Sequence, residues 1–258
     1  MSAMKLVLSI SRTAFRRAIR SRVYIALVLF CLGLIGLSRL MESLTFTAEA
    51  RIITDVGLAG IGVVSALLAI LLSVDAISGE IERKTAAVLF SKPVSRGQFI
   101  AGSFLGVLWS IVLTVVVTGV AFVLALLLQG SPIPDSLVLG LGFIFLESAV
   151  LVGVALLISS FSSSTATSIF LCVLIYVLGH LHPQLGYVAG RLPDLFARRL
   201  LRISTLILPN LEYFNIRHHI TTGHPIDSGY AVGATLYGAV YVTITLFLAY
   251  LILRRREL

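Results

Sequence analysis

Residues 74–106 read VDAISGEIERKTAAVLFSKPVSRGQFIAGSFLG and place a charged insert between two long apolar runs. The insert contains two glutamates and four basic residues, and Pro93 ends its short helical pattern. Ser95 then precedes Arg96 and Gln98 in the pattern of a helix N-cap, which predicts that a helix starts again there. We expect the insert to form a short helix that another protein can contact.

The composition indicates whether the chain folds in water or in a membrane. Of its 258 residues, 58% are hydrophobic and 12% are charged. Soluble domains carry about 25% charged residues, so this chain is predicted to be an integral membrane protein. A membrane-spanning helix needs about 20 residues to cross about 30 Å of hydrocarbon, and six apolar runs approach or exceed this length.

The predicted fold is an all-α membrane protein with six transmembrane helices in a single domain over residues 1–258. The predicted spans are residues 23–40, 56–74, 99–128, 137–159, 166–181 and 230–253. Three segments flank them: an interfacial helix over 4–22, a charged segment over 75–98 and an outer segment over 182–229. An ordinary positively charged flank is the alternative interpretation of residues 4–22.

The basic residues predict the orientation, because short cytoplasmic loops carry an excess of Lys and Arg. Thirteen of the 20 basic residues fall on one side of the six predicted spans, namely Lys5, Arg12, Arg16, Arg17, Arg20, Arg22, Arg83, Lys84, Lys92, Arg96, Arg254, Arg255 and Arg256. Both termini and the insert are therefore predicted to be cytoplasmic, in a multi-pass protein of the cytoplasmic (inner) membrane. This topology explains the net charge of +8 without a nucleic-acid partner.

The insert resembles the permease signature of the second class of ABC exporters. The similarity rests on Asp75, Gly79, Glu80, Glu82, Thr85, Lys92, Pro93, Arg96, Gln98, Phe99 and Gly102. It is particularly similar to the nitrous-oxide-reductase maturation permease and its relatives in multicopper-enzyme maturation. The family pattern reads roughly G-E-x-E-x-G-T with P-x-x-R downstream, and Lys84 stands where the family usually has glycine.

This resemblance implies a permease that moves substrate, or transmits ATPase motion, across the membrane with a separate ATPase subunit. Such permeases work as homodimers or as paired permeases with two ATPase copies. The sequence has no GxxxxGK[ST] loop, so ATP and Mg²⁺ are expected on the partner. The chain itself is predicted to be no enzyme and to bind no cofactor. Membrane lipids and a periplasmic accessory protein are further candidate partners.

The resemblance also assigns an ATPase-coupling element, which consists of Glu80, Glu82, Arg83, Thr85, Pro93 and Arg96. The implied role of these residues is electrostatic and packing contact with the ATPase. The serine-rich turn from Ser159 to Thr165 would supply a second, smaller contact. The alternative is a solvated loop whose charges only fix the topology.

Glu147 is the one acidic residue near the middle of a predicted span. A charged side chain there costs about 2.5–3.5 kcal/mol on insertion scales, so Glu147 is expected to face the interior of the bundle. One interpretation is a polar cavity or a proton-linked role. The other is a protonated or hydrogen-bonded glutamate that packs helices together.

The five histidines are predicted to lie on the outer side, at positions 180, 182, 218, 219 and 224. Their spacing is a weak metal signature, so surface or interfacial histidines are expected and no metal site is assigned. The two cysteines lie inside predicted spans and support neither a disulfide framework nor a thiolate site. The outer motif LPNLEYF, residues 208–214, suggests a re-entrant or capping piece, with a purely structural interfacial helix as the alternative.

Two other classes of protein remain as alternatives to an ATP-driven permease. An ion-coupled secondary transporter would use Glu147, but such transporters carry charged residues in several spans and internal repeats. A membrane enzyme would need a catalytic constellation, and the sequence has no HExxH, GxSxG or paired intramembrane acids. The substrate does not follow from the sequence.

Overall fold

The computed structural model is helical in all the regular elements of its described residues. These residues are 3–42, 49–79, 95–128, 130, 133–162, 164–191, 196, 198–199, 201, 207–222 and 226–255. They contain no strand and nine α-helices. The helices are α1 (Ala3–Arg20), α2 (Arg22–Glu42), α3 (Glu49–Val74), α4 (Arg96–Leu128), α5 (Leu137–Phe161), α6 (Thr165–His180), α7 (His182–Arg191), α8 (Arg217–Thr222) and α9 (Ser228–Arg255).

Four helices are long and apolar enough to cross a membrane. They are α3 with the turn that extends it to Gly79, α4, α5 and α9. Two bent pairs are further candidates, since α1 and α2 meet at 60° and α6 and α7 meet at 67°. The described residues therefore contain four to six candidate spans, which confirms an all-helical multi-pass protein. The six-span layout counts each bent pair as one span and stays a prediction.

The fifth predicted span, residues 166–181, corresponds to a short helix. Helix α6 has 16 residues, which rise about 24 Å and fall short of the roughly 30 Å of hydrocarbon. The chain bends at Leu181, and Pro183 then lies in the first turn of α7. Proline fits this position because the first turn of a helix leaves its backbone N–H groups unpaired. Helix α6 alone is thus too short for a full span.

Ser21 produces the bend between α1 and α2. Its hydroxyl accepts a hydrogen bond from the backbone N–H of Tyr24 at 3.1 Å, so it caps the start of α2. The amphipathic stretch predicted over residues 4–22 is thereby a separate helix. Its position along the membrane interface stays a prediction.

Helix α1 packs against α4 through two glycines spaced four residues apart. A Cβ atom at Gly102 would lie 2.7 Å from Cβ of Ile10. A Cβ atom at Gly106 would lie 2.6 Å from Cβ of Ala14 and 2.8 Å from the backbone oxygen of Ser11. Small residues at this spacing allow two helix backbones to approach closely, so no larger side chain fits there.

Helix α5 lies at the centre of the bundle. It contacts α3, α4, α6 and α9. Of the residues in its most apolar stretch, 72% are buried, against 22% for α9 at the periphery. A polar side chain on α5 is therefore held away from lipid by neighbouring helices.

Helix α3 continues beyond the predicted boundary at Val74. Residues Asp75–Gly79 form a π-helical turn, in which Ile77, Ser78 and Gly79 are buried. The turn packs against α5 and α6, and the Ser78 and Ser168 hydroxyls are 3.1 Å apart. Five residues assigned to the charged segment 75–98 thus continue the helix, and three of them, Ile77, Ser78 and Gly79, are buried in the bundle. Single π turns occur frequently at functional positions of helices.

Candidate functional site

Two polar regions lie at opposite ends of the bundle. One end carries the π turn, the start of α4, the junction between α5 and α6 and the end of α9. We call it the insert end, because the chain between the π turn and α4 is the charged insert. The other end carries Glu147 and a segment that folds back onto the helices. The predicted orientation makes the insert end cytoplasmic.

The structure describes only one of the six predicted coupling residues, at the insert end. Glu80, Glu82, Arg83, Thr85 and Pro93 lie outside the described residues. Arg96 is described and begins α4. The role of all six residues toward an ATPase stays a prediction.

The start of α4 is closed by a reciprocal capping box. The backbone N–H of Gln98 donates to the Ser95 hydroxyl at 3.3 Å, and the backbone N–H of Ser95 donates to Oε1 of Gln98 at 3.0 Å. This arrangement satisfies two backbone donors that a helix start leaves free. The N-cap predicted at Ser95 is confirmed, and the end of the insert is fixed to a helix.

Arg96 connects the insert to the last helix of the chain. Its guanidinium donates hydrogen bonds to the backbone oxygens of Leu253 and Arg254, the latter at 3.1 Å. These carbonyls lie at the end of α9, where free backbone oxygens and the helix dipole favour a cation. A displacement of the insert would therefore be transmitted to α9 as well as to α4.

Replacing Arg96 with alanine is expected to lower the melting temperature by about 2–8 °C. The lost hydrogen bonds are worth about 1–2 kcal/mol at a partly exposed site, and each kcal/mol shifts the melting temperature by about 2–4 °C in a chain of this size. Thermal unfolding in detergent, followed by circular dichroism, measures the effect. Arg96→Lys should lower the melting temperature less, since it keeps a cation near the carbonyls of α9.

The matched control for this prediction is Arg255→Ala, which removes an exposed arginine from the same end of α9. Equal melting temperatures for Arg96→Ala and Arg255→Ala would contradict the assigned role of Arg96.

The serine-rich turn joins α5 to α6 beside the π turn. The Ser162 hydroxyl donates to the backbone oxygen of Ser164 at 3.1 Å, and the Ser168 hydroxyl donates to the same oxygen at 3.0 Å. Ser163 lies outside the described residues. Since Ser168 also contacts Ser78, it links this turn to the helix that leads into the insert.

Glu147 lies inside the bundle at the other end. It is 7% exposed, and its Oε1 atom is 3.6 Å from Nε2 of His180 on α6. The other ring nitrogen of His180 lies 3.2 Å from the backbone oxygen of Tyr176. The expectation that Glu147 faces the interior is therefore met in the fold, while its function is untested. His180, one of the histidines predicted to be at the surface or the interface, is partly buried and is oriented by these two contacts.

Arg217 reaches the same region from the segment that folds back. Its Nε atom donates to Oδ1 of Asn215 at 2.9 Å, and the Asn215 amide donates to Oε1 of Glu212 at 2.9 Å. This chain of hydrogen bonds fixes the direction of the guanidinium. Glu147 and Arg217 attract each other electrostatically across the space between α5 and this segment.

These side chains line one cavity, which we call the Glu147 cavity. It encloses about 420 Å³ of empty space up to and including its mouth. Its polar lining comprises Glu147, Tyr176, His180, Asn215 and Arg217, and Leu58, Val63 and Ile144 contribute to its apolar lining. A concave apolar pocket with a few convergent polar groups is the usual form of a ligand site.

Residues 207–222, which we call the returning segment, close this end of the bundle. Leu211, Phe214, Ile216 and Ile220 are buried against the helices. The prediction that LPNLEYF forms a capping piece agrees with this packing. Tyrosines of α9 hold the segment: Tyr230 donates to the backbone oxygen of Tyr213 at 2.7 Å, Tyr241 donates to that of Ile207 at 2.9 Å, and Tyr237 accepts from the backbone N–H of Asn210 at 2.8 Å.

The remaining histidines form no metal site in the part of the chain that the structure describes. His218 and His219 are exposed, His182 is partly buried, and His224 lies outside the described residues. No group of three or more potential metal ligands occurs among the residues described. His180 contributes to a polar site, through its contact with Glu147.

Sequence reasoning did not find Tyr176 or Arg217 as neighbours of Glu147. These residues lie on α6 and α8, far from Glu147 along the chain, and no spacing in the sequence connects them. One available signal was the spacing of Tyr230, Tyr237 and Tyr241, which places three hydroxyls on one face of a helix. That pattern would have predicted the contact between α9 and the returning segment.

Comparison with protein families gives one match over nearly the whole chain. The family model described as "ABC-2 family transporter protein" matches residues 8–258. No curated protein matches the chain significantly.

Proposed function

The chain belongs to the ABC-2 family of transporter proteins, and from this premise we propose that it is the permease subunit of an ATP-driven exporter. Membership makes it a multi-pass membrane permease of an ABC transporter and implies association with an ABC ATPase. The proposal adds export as the direction, a separate ATPase subunit in two copies, and a permease homodimer or permease pair. It also places six spans in the cytoplasmic membrane with both termini cytoplasmic.

The observation that best supports this proposal is the anchoring of the insert on both sides. Before the insert, the π turn packs on α5 and α6, with Ser78 against Ser168. After it, Arg96 is bonded to the end of α9. An ATPase that moves the insert would therefore act on five helices at once, namely α3, α4, α5, α6 and α9, as rigid-body coupling between subunits requires.

The charges of the insert offer a direct test of ATPase docking. Glu80→Lys is expected to leave the permease inserted in the membrane while the amount of co-purified ABC ATPase falls at least fivefold. A like-charge contact at a protein interface costs several kcal/mol, which is more than this loss needs. The measurement is the ratio of ATPase to permease after affinity purification from membranes.

Asp227→Lys is the matched control, since it reverses an exposed acid at the opposite end of the bundle. Undiminished co-purification by Glu80→Lys would refute the docking role of the insert. An equal loss of co-purified ATPase in both variants would show a general charge effect and would also count against the docking role of the insert.

The narrower likeness to maturation permeases for nitrous-oxide reductase and multicopper enzymes rests on the signature in residues 75–102. We retain it as a proposal for the pathway that this permease serves. A periplasmic accessory protein would then contact the end of the bundle that carries the returning segment. Cross-linking from Tyr213, which is exposed on that segment, tests whether such a protein binds there.

A further inference from the structure

The Glu147 cavity contains polar groups that the described part of the chain does not satisfy. The Glu147 carboxylate accepts no hydrogen bond there, since its contact to His180 is 3.6 Å long. The Arg217 side chain uses only Nε, toward Asn215, and leaves its two terminal nitrogens without a described partner.

Polar groups that face the same open space can bind a polar ligand together. Glu147, Tyr176 and Arg217 converge on the same empty space instead of on each other. The cavity is therefore arranged to surround a polar group that enters it.

The position of the cavity indicates how the remainder of that ligand is built. Its walls include Leu58 and Val63 of α3 and Ile144 of α5, which lie on candidate membrane spans. Val63 lines the cavity on a candidate span and is 46% exposed. A ligand with a polar head and an apolar body would match both parts of this lining.

The charges of the lining indicate the chemistry of the head group. Glu147 provides an acceptor for a cation, with the Tyr176 hydroxyl on the same lining. Arg217 provides a guanidinium that can bind a phosphate or carboxylate through two parallel hydrogen bonds. A purely anionic head would satisfy Arg217 but would face Glu147, and a purely cationic head would face Arg217.

We propose that the Glu147 cavity binds the zwitterionic head group of a membrane amphiphile, with its ammonium at Glu147 and its anionic oxygens at Arg217. The inference rests on the proposed permease function, because it names a ligand class for the membrane part of that permease. The apolar body of the ligand lies along Val63, which is exposed.

The test measures lipid binding to the full-length permease without ATPase or ATP. Delipidated protein is titrated with phosphatidylethanolamine, phosphatidylglycerol or diacylglycerol, and bound lipid is counted by native mass spectrometry. Phosphatidylethanolamine is expected to bind about tenfold more tightly than the other two. Glu147→Gln and Arg217→Gln should each weaken its binding about tenfold, as the loss of one charge-assisted hydrogen bond predicts.

A third variant blocks the cavity while both charges remain. Gly62 lines the cavity, and a Cβ atom there would have Ile144 Cγ1 at 4.0 Å as its nearest neighbour, so Gly62→Leu fills the space without a backbone clash. It should also weaken phosphatidylethanolamine binding about tenfold. Gly142→Leu, where no atom lies within 4 Å of an added Cβ, and Asp135→Asn, in an exposed turn, are the matched controls. Both controls should bind as the unchanged protein does.

The outcomes separate the source of the head group from the existence of the site. If soluble phosphoethanolamine competes as well as the lipid, with the same dependence on Glu147 and Arg217, the zwitterion site stands and its ligand comes from the aqueous phase. Equal binding of the three lipids, or phosphatidylethanolamine binding unchanged in Glu147→Gln, Arg217→Gln and Gly62→Leu, overturns the proposal. Because no ATPase is present, loss of ATPase docking leaves this result unaffected.

Discussion

Replacing Gly106 with leucine is expected to separate α1 from α4 and to lower the melting temperature by about 6–12 °C. The new side chain would meet Ala14 at 2.6 Å and the backbone oxygen of Ser11 at 2.8 Å already at its Cβ atom. Since a backbone atom cannot rotate away, the helices must move apart. Overpacking of this kind costs about 3 kcal/mol, near the upper end of its usual range, and each kcal/mol lowers the melting temperature by about 2–4 °C.

Thermal unfolding in detergent measures this effect, and Gly142→Leu is the control. Gly142 lies on α5, and an added Cβ there meets no atom within 4 Å. A second test uses coupling between the two helices. Gly106→Ala should be partly rescued by Ala14→Gly, because the second change removes the nearest clashing carbon. Independent effects of the two changes would show that α1 does not pack against Gly106.

Replacing Gly179 with leucine is expected to release the returning segment from the bundle. A Cβ atom at Gly179 would lie 2.8 Å from the Leu211 side chain and 2.9 Å from the backbone oxygen of Pro209. The segment must shift to make room, at a cost of about 2–3 kcal/mol. This cost corresponds to a rise of about 30- to 150-fold in the open population, while α9 and the rest of the bundle keep their packing.

Amide hydrogen exchange, read by mass spectrometry, locates this effect. Exchange should become faster in peptides that cover Leu211–Phe214 and should not change in α5. Gly186→Leu is the matched control, since it lies on α7 with no atom within 4 Å of an added Cβ. Uniform acceleration over all helices would indicate global destabilisation, and unchanged exchange at Leu211–Phe214 would show that Gly179 does not hold the segment.

The two predictions concern different ends of the bundle and different aspects of the proposed function. Gly106→Leu disturbs the helix that packs beside the start of α4, directly after the insert. Gly179→Leu opens the segment that lines the Glu147 cavity. A variant of the first kind should reduce ATPase docking, whereas a variant of the second kind should change lipid binding and leave docking intact.

Some features of the candidate sites were predictable from local sequence. The N-cap at Ser95 follows from its spacing to Gln98, because a capping box depends only on residues within one turn. The inward orientation of Glu147 follows from the cost of exposing an acid to lipid. Arg96 was predicted from the family pattern as a docking residue, and the structure adds its bonds to the end of α9, which no local pattern contains.

The sequence by itself determined that the chain is an all-helical membrane protein with a charged insert, because hydrophobic length and charge are additive properties of consecutive residues. The tertiary structure alone decided that residues 75–79 extend α3 as a π turn and that α6 is only 16 residues long. It also decided that Tyr176, His180 and Arg217 meet Glu147 in one cavity. These features depend on contacts between residues distant along the chain, and helix packing, which no local pattern encodes, determines them.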